Sequence, residues 1–139
     1  MGAHETPLTV RFNEVDSYGV AWHGHYVAWM EVGRHDLAGR FGLDAAQLAG
    51  LGYLAPVVEL ELKYRRPARY NETLRVLTTA RRTETATLEF SCRILAADGT
   101  LCATGRTVHA LTDRDGVLQY RFPAPVAERL ERLLASLGE

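Results

Sequence analysis

Between Gly24 and Phe41 the chain carries one long helical pattern, and the rest of the molecule has to fold around it. Tyr26, Trp29, Met30, Gly33, Leu37 and Phe41 recur at helical spacing and make a single apolar face, while Glu31, Arg34, Asp36 and Arg40 lie off that stripe. Roughly eighteen residues at ~1.5 Å each give a rod of about 27 Å, long enough to cross a small domain. Gly42 stands where a helix-closing glycine belongs. Asp44 is placed to cap a second, shorter helix that runs through Leu48 and ends near Gly50 or Gly52.

Most of what surrounds this rod reads as strand. Leu8 to Phe12 is expected as a first, short strand bounded by Pro7. From Val57 the period changes to two: Val58, Leu60, Leu62 and Tyr64 alternate with Glu59, Glu61, Lys63 and Arg65, the pattern of a half-buried strand, and Arg66-Pro67 ends it. Another strand is expected at about Glu72 to Arg81, and Ala86, Leu88, Phe90, Cys92 and Ile94 mark the apolar side of the next. Asp98-Gly99 is a two-residue hairpin signal, followed by a strand from Thr100 to about Thr112. Asp115-Gly116 suggests a turn into a short strand, Val117 to Arg121. Pro123 and Pro125 then introduce a last amphipathic helix carrying Val126, Leu130, Leu133, Leu134 and Leu137.

Short connections make neighbouring strands antiparallel. An antiparallel sheet with one apolar face and a long helix with one apolar stripe have a simple joint solution: the sheet curls around the helix, an α+β architecture. With a two-residue turn at Asp98-Gly99, Cys92 faces Gly105 on the apolar side and Cys102 faces Leu95 on the polar side, so the two thiols point apart and cannot bond. The same register puts Ala103, Gly105, Thr107, His109 and Leu111 on the core side. That run is small in its middle, as if the long helix crosses there.

A chain of 139 residues is one domain by length, read as spanning 1–139, and a hydrophobic content of 47% with 24% charged residues is that of a soluble globular protein. A formal net charge of -1 gives no reason to expect nucleic acid as a partner. No apolar run approaches the ~20 residues that span a bilayer. Because the N-terminus also lacks the order of a secretion signal, the expected setting is cytoplasmic, without membrane insertion.

The chemistry gathers just before the long helix. Asp16 lies upstream of Gly19 and of the helix start, and free backbone N–H groups at a helix N-terminus can bind a developing negative charge. Tyr18 and Trp22 are available to make a dry wall beside it. His23-Gly24-His25 would be a metal pair without a third ligand, and His25 is read as a solvent-facing helix-start residue. His109 is read as a hydrogen-bonded core histidine. Arg65-Arg66 and Arg81-Arg82 are basic pairs at strand ends, either solvated or binding phosphate.

The run Asp16-Ser17-Tyr18-Gly19-Val20-Ala21-Trp22-His23 resembles the D-x-x-G-x-V signature of the hotdog acyl-CoA thioesterases, most closely the 4-hydroxybenzoyl-CoA thioesterase branch and the thioesterase of the Tol–Pal gene cluster. The resemblance covers about Leu8 to Asp113. Glu31 and Arg34 match the E-x-x-R of the signature helix, although an i,i+3 ion pair explains them equally well. Asn13-Glu14-Val15-Asp16 departs from the Tol–Pal branch, which usually has a second acid or Thr just before the catalytic Asp.

The resemblance implies a hotdog fold and hydrolysis of an acyl-CoA thioester. It implies Asp16 as nucleophile or general base, the N–H of His23 or Gly24 as oxyanion donor, and the His23 imidazole as helper to water or leaving group. By their place beside this loop, Tyr18, Trp22 and Tyr26 are the candidates for the acyl pocket. Arg66 or Arg81 and Arg82, the latter pair near a basic stretch used for the nucleotide in the 4-hydroxybenzoyl-CoA branch, are the candidates for the phosphates of coenzyme A. No metal is implied, no cofactor beyond the CoA portion of the substrate, and the expected assembly is a homodimer or homotetramer. An acyl carrier protein thioesterase and a non-catalytic acyl-CoA-binding domain are the alternatives.

Overall fold

In the computed structural model, which describes residues 2–83 and 85–138, the helical stripe becomes α1, His25–Gly39. Tyr26, Trp29, Met30, Gly33, Leu37 and Ala38 are its buried residues. The regular helix is shorter than the periodicity suggests. It closes through a turn in which the Leu43 N–H reaches back to the Ala38 carbonyl at 2.9 Å with Gly42 at φ 77°, a backbone state that favours glycine. Asp44 caps α2, Ala45–Gly50, by accepting from the Gln47 N–H at 2.9 Å while Gln47 returns the bond to the Asp44 N–H.

Five strands form the main sheet: β1 (His4–Thr9), β3 (Val57–Tyr64), β4 (Thr73–Arg82), β5 (Thr87–Ala96) and β6 (Leu101–Ala110). Their order is β1-β4-β5-β6-β3 and every pairing is antiparallel. A two-stranded ribbon, β2 (Tyr53–Leu54) with β7 (Thr112–Asp113), lies apart, and α3 (Ala124–Ser136) closes one end of the core. Val126, Leu130 and Leu133 are its buried side chains, the last packed with Leu37 and Phe90. This is the hotdog arrangement, one antiparallel sheet around one helix.

Two glycines let the helix lie against the sheet. A Cβ at Gly33 would meet Thr78 Oγ1 at 2.6 Å, and one at Gly105 would meet Met30 Sδ at 2.6 Å. The small middle of β6 is therefore where the long helix crosses, as the side-chain sizes suggested, with Met30 as the residue at Gly105.

Several expectations are corrected. The first strand runs over His4–Thr9 and not Leu8–Phe12. Pro7 sits inside it, tolerated because β1 is an edge and the missing N–H breaks no ladder bond. Phe12 begins a 3-10 turn that ends at Glu14. The Asp98-Gly99 turn is a three-residue loop, in which the Ala96 N–H bonds the Thr100 carbonyl at 2.8 Å and Gly99 takes φ 88°. The register holds at Cys92↔Gly105 but slips after Ile94, so that Leu95 faces Leu101. Cys102 is accordingly not on a solvated face: it is fully buried, with the Arg66 guanidinium 3.6 Å from its sulfur. Both thiols are free.

The segment from Val117 makes a single bridge, Thr112↔Leu118, and no strand, while the β2–β7 ribbon had no signal in the alternation.

The largest departure is β3. Its alternation predicts one buried face, yet Val58, Leu60 and Tyr64 stand at 61%, 45% and 48% exposure. The strand is the outer edge of the sheet, and α1 packs chiefly on β4 and β1. Its opposite face is charged, with Glu59 and Glu61 both meeting Arg106. No helix among the described residues is long and apolar enough to cross a membrane.

Candidate active site

Asp16 sits near the tip of a small hairpin built from the loop before α1. Val15 and Ala21 are bridged, the Asp16 N–H donates to the Val20 carbonyl at 2.9 Å, and Gly19 takes φ 78° to close the turn. Asp16 Oδ1 accepts the Tyr18 N–H at 2.8 Å. Among the described residues Oδ2 has no hydrogen-bond partner, so one carboxylate oxygen is fixed and the other is free.

The far side of the hairpin is tied to the segment after β3. Ala21 donates to the Ala68 carbonyl at 2.7 Å, Val20 bridges Arg69, and the buried Tyr26 hydroxyl accepts the Ala68 N–H at 2.9 Å. Where the hairpin enters α1, the N–H groups of His23 and Gly24 find no acceptor among the described residues. The His23 carbonyl is held from the other side by the Tyr64 hydroxyl at 2.8 Å. The Trp22 ring folds over this helix start, 5.0 Å from the His23 ring and 5.4 Å from that of His25, and a Cβ at Gly24 would run into it. Beside these atoms a cleft opens, lined by Ala21, His23, Tyr26, Tyr64, Arg65 and the Arg66-Pro67 turn.

The structure thus brings Asp16, His23, Gly24, Trp22, Tyr26 and Arg66 to one end of the molecule. It does not make the dry wall expected of Tyr18 and Trp22, which are 85% and 49% exposed in the single chain. Tyr26 is a core residue, stacked edge-on to Tyr64 with ring centres 5.0 Å apart.

Arg66 faces this cleft, but its guanidinium is engaged by Glu72 at 2.9 Å, which holds the Glu72 carboxyl below the usual carboxylate range. Arg81 and Arg82 are at the other end of β4, about 30 Å away along a ten-residue strand. Arg81 is gripped by Glu89 through two bonds of 3.0 and 3.2 Å, and Arg82 lies 5.5 Å over the Phe122 ring. Glu31 and Arg34 form the expected i,i+3 pair, at 2.5 Å. His109 is a core histidine, with Ala55 O at 3.0 Å and Thr107 Oγ1 at 2.9 Å, and burial lowers its pKa.

Two residues at this end were missed from sequence. Tyr64 reads as one more apolar position of an alternating strand, yet its hydroxyl holds the helix start. Glu14 reads as part of a departure from the signature, yet it is buried against the Trp29 indole. The signal for Glu14 lay in α1: a buried indole N–H needs an acceptor, and Glu14 is the acid nearest the loop stem.

Stability should fall in two stages on acidification. His109 has its pKa depressed by burial, so the unfolded chain binds the proton first. Stability is lost as pH drops below the ordinary histidine value of about 6.5 and through the folded one. Asp36, held low mainly by His4, and Glu72, held low mainly by Arg66, are depressed carboxylates. Their contribution is complete above roughly pH 4–5 and is lost below it. Thermal melts from pH 8 to 3 should show both stages, and Glu72→Gln should flatten only the lower one.

The model of the thioesterase-like superfamily matches residues 10–130, and the chain belongs to that superfamily. Its relatives include the Synechocystis protein sll0410, 33% identical over 131 residues, covering 93% of this chain and 79% of the relative. The 1,4-dihydroxy-2-naphthoyl-CoA hydrolase of Thermosynechococcus vestitus is 24% identical over 140 residues, covering 96% and 93%. Among solved structures, a DHNA-CoA thioesterase from Staphylococcus aureus superposes with a TM-score of 0.86 at 26% identity, over 97% of this chain and 93% of that one.

Proposed function

We propose that the chain is an acyl-CoA thioester hydrolase that works as a homodimer, with Asp16 as its reactive carboxylate. The observation that carries this reading is the pairing of a carboxylate having one free oxygen with a helix start whose first N–H groups, those of His23 and Gly24, have no acceptor among the described residues. A thioester carbonyl set between them meets an attacking group on one side and oxyanion donors on the other. Asp16 Oδ2 either draws a proton from water, whose oxygen adds to the carbonyl carbon, or adds itself to give an anhydride that water then opens. In both routes the C–S bond breaks and the acid is released. The sulfur leaves as the CoA thiol with a proton of the consumed water, returned by Asp16 in the first route and set free when water opens the anhydride in the second. The chemistry asks for no metal, and for no cofactor beyond the CoA carried by the substrate. The family membership and the named activities of the relatives support the same class of reaction.

The exposed apolar edge of β3 supports the dimer, because an unpaired edge strand with Val58, Leu60 and Tyr64 open to water is an aggregation liability unless covered. Two copies related by a two-fold axis would set β3 antiparallel to its mate. Tyr64 pairs through Ala103 and Ile94 to Val76, near the Asp16 hairpin, whereas Val57 leads through His109 and Leu88 to Arg82. Antiparallel β3 strands therefore place the catalytic end of one protomer beside the basic end of the other. Val57 and Arg82 are three strand spacings apart, ~14 Å, within reach of an extended CoA arm. A dimer of such dimers is the tetramer expected from the resemblance. Two buried, unbridged thiols suit a reducing cytoplasm.

Thiol release from a panel of aromatic and aliphatic acyl-CoAs tests the activity. Binding of acyl-CoA without release would favour the binding domain, and release only from acyl carrier protein would favour that carrier. Arg82→Ala should raise KM for acyl-CoA roughly tenfold, the worth of one charge-assisted bond, with kcat unchanged. Acyl-pantetheine, which lacks the nucleotide phosphates, should show no such change. Equal losses on both substrates would remove Arg82 from phosphate contact and leave Arg66 and Arg81, once released from their acid partners, as the candidates.

A further inference from the structure

We infer that Glu14 is the positioning residue that fixes Asp16 relative to the helix start, an inference that rests on the thioesterase reading above. Glu14 closes the 3-10 turn two residues before Asp16 and is 4% exposed. Its side chain and backbone join three parts of the molecule. Oε1 accepts the Arg11 N–H at 2.7 Å, at the exit from β1. Oε2 accepts the Trp29 indole N–H at 3.1 Å, in the second turn of α1, with the Arg11 guanidinium at 3.4 Å. The Glu14 carbonyl accepts the Trp22 N–H at 2.9 Å, one residue before His23. The hairpin carrying Asp16 thus leaves Glu14 on one arm and returns to it on the other.

The two halves of the proposed chemistry are joined by the Glu14 carbonyl, the 15–21 bridge and the Asp16–Val20 bond. The return arm also reaches α1 through Ala68 and the Tyr26 hydroxyl, whereas among the described residues the outgoing arm reaches α1 through the Glu14 carboxylate. Asp16 hangs from the arm after Glu14, and the oxyanion N–H groups follow the arm that Trp22 anchors. Without the carboxylate, the hairpin would keep its own hydrogen bonds but lose its side-chain tie to α1. Burial by itself would raise the Glu14 pKa, but the Arg11 amide, the Trp29 indole and the Arg11 guanidinium hold it below its ordinary value, so the anion is the form that ties the loop. A neutral amide is a poor replacement. Gln offers one acceptor oxygen where three N–H donors converge, and turns an NH₂ toward a donor.

The test compares Glu14→Gln, Glu14→Asp, Trp29→Phe and the Glu14→Gln/Trp29→Phe pair, each confirmed folded by circular dichroism. Misplacement by about 1 Å costs on the order of 10²-fold. Glu14→Gln and Trp29→Phe should therefore each lower kcat by roughly 10- to 100-fold with KM little changed, Glu14→Asp should recover part of the rate, and the double variant should be no worse than the poorer single one, because both act through one bond. Amide hydrogen exchange at Asp16, Gly19 and Trp22 reads the tie without substrate and should accelerate in both single variants. Losses that multiply in the double variant, an unchanged kcat in folded Glu14→Gln, or unchanged exchange would each overturn the inference. A parent that hydrolyses no thioester, with loop exchange still accelerated in Glu14→Gln, would sink the thioesterase reading and leave Glu14 as the residue that pins the loop.

Discussion

Asp16→Asn should lower turnover of the best acyl-CoA by roughly 10²–10⁴-fold, the range set by loss of a positioned base. The substitution keeps the shape of the side chain. The amide oxygen of Asn can still accept the Tyr18 N–H that Oδ1 now accepts, so the hairpin turn closed by Gly19 should persist. What disappears is the anionic oxygen, and with it both the proton acceptor and the nucleophile. Cys92 and Cys102 offer no substitute: both are buried, and burial pushes the Cys92 thiol up to about 11, where it carries almost no thiolate at neutral pH. Substrate affinity should survive, since the groups proposed to bind CoA and the oxyanion are untouched. His23→Ala should cost less, because its backbone N–H remains. Single-turnover hydrolysis and equilibrium binding on the same preparation separate the two effects. Hydrolysis by folded Asp16→Asn at the parent rate would remove Asp16 from the chemistry and leave the acyl-CoA-binding reading in front.

Leu60→Asp should convert the proposed dimer to monomers and lower activity at sub-saturating acyl-CoA with it. Leu60 lies at the centre of β3, 45% exposed in the single chain, where a two-fold axis would bring it close to its own copy. Two aspartates at that position put like charges together in a desolvated patch, a cost of several kcal/mol and so at least ~10²-fold in the dimer dissociation constant. The fold of each protomer should be spared, because Leu60 belongs to none of the buried clusters. Light scattering should report a monomer. Thiol release should fall with it, since the proposed site draws its CoA-binding arginine from the neighbouring chain. A parent that is monomeric and fully active at assay concentration would overturn the dimer. A monomeric variant with full activity would confine the whole site to one chain.

The contrast between Asp16 and β3 shows how far the sequence reaches. Asp16, Gly19, the start of α1, the Asp44 cap and the Gly42 closure were all legible, because each is decided within a few residues by turn geometry and helix-end hydrogen bonding. The apolar stripe of α1 and the small middle of β6 were legible too, and together they foretold that the long helix crosses that strand; that Met30 is the residue at Gly105 came from the structure. These local patterns suffice to name a sheet wrapped around a helix. They do not order the strands, and strand order decided much of the rest. As an edge, β3 exposes the face its alternation marks as buried. As the opposite edge, β1 admits Pro7.

A slip of one position near Gly99 moved Cys102 out of its expected place, because side chains alternate and register is set by the turn. The arginines were legible only as charges. That Glu72 occupies Arg66, Glu89 occupies Arg81 and Arg82 rests on Phe122 depends on which strands lie side by side. Glu14 is the sharpest case. Its neighbours in sequence mark it as one more loop acid, and only the packing of Trp29 fifteen residues later puts an indole N–H against it. Sequence by itself determined the helices, most of the strands and the turn that carries Asp16, through short-range geometry. The tertiary structure alone decided which charges are engaged, which apolar face stays uncovered and what holds the loop in place, because those depend on contacts between residues far apart in the chain.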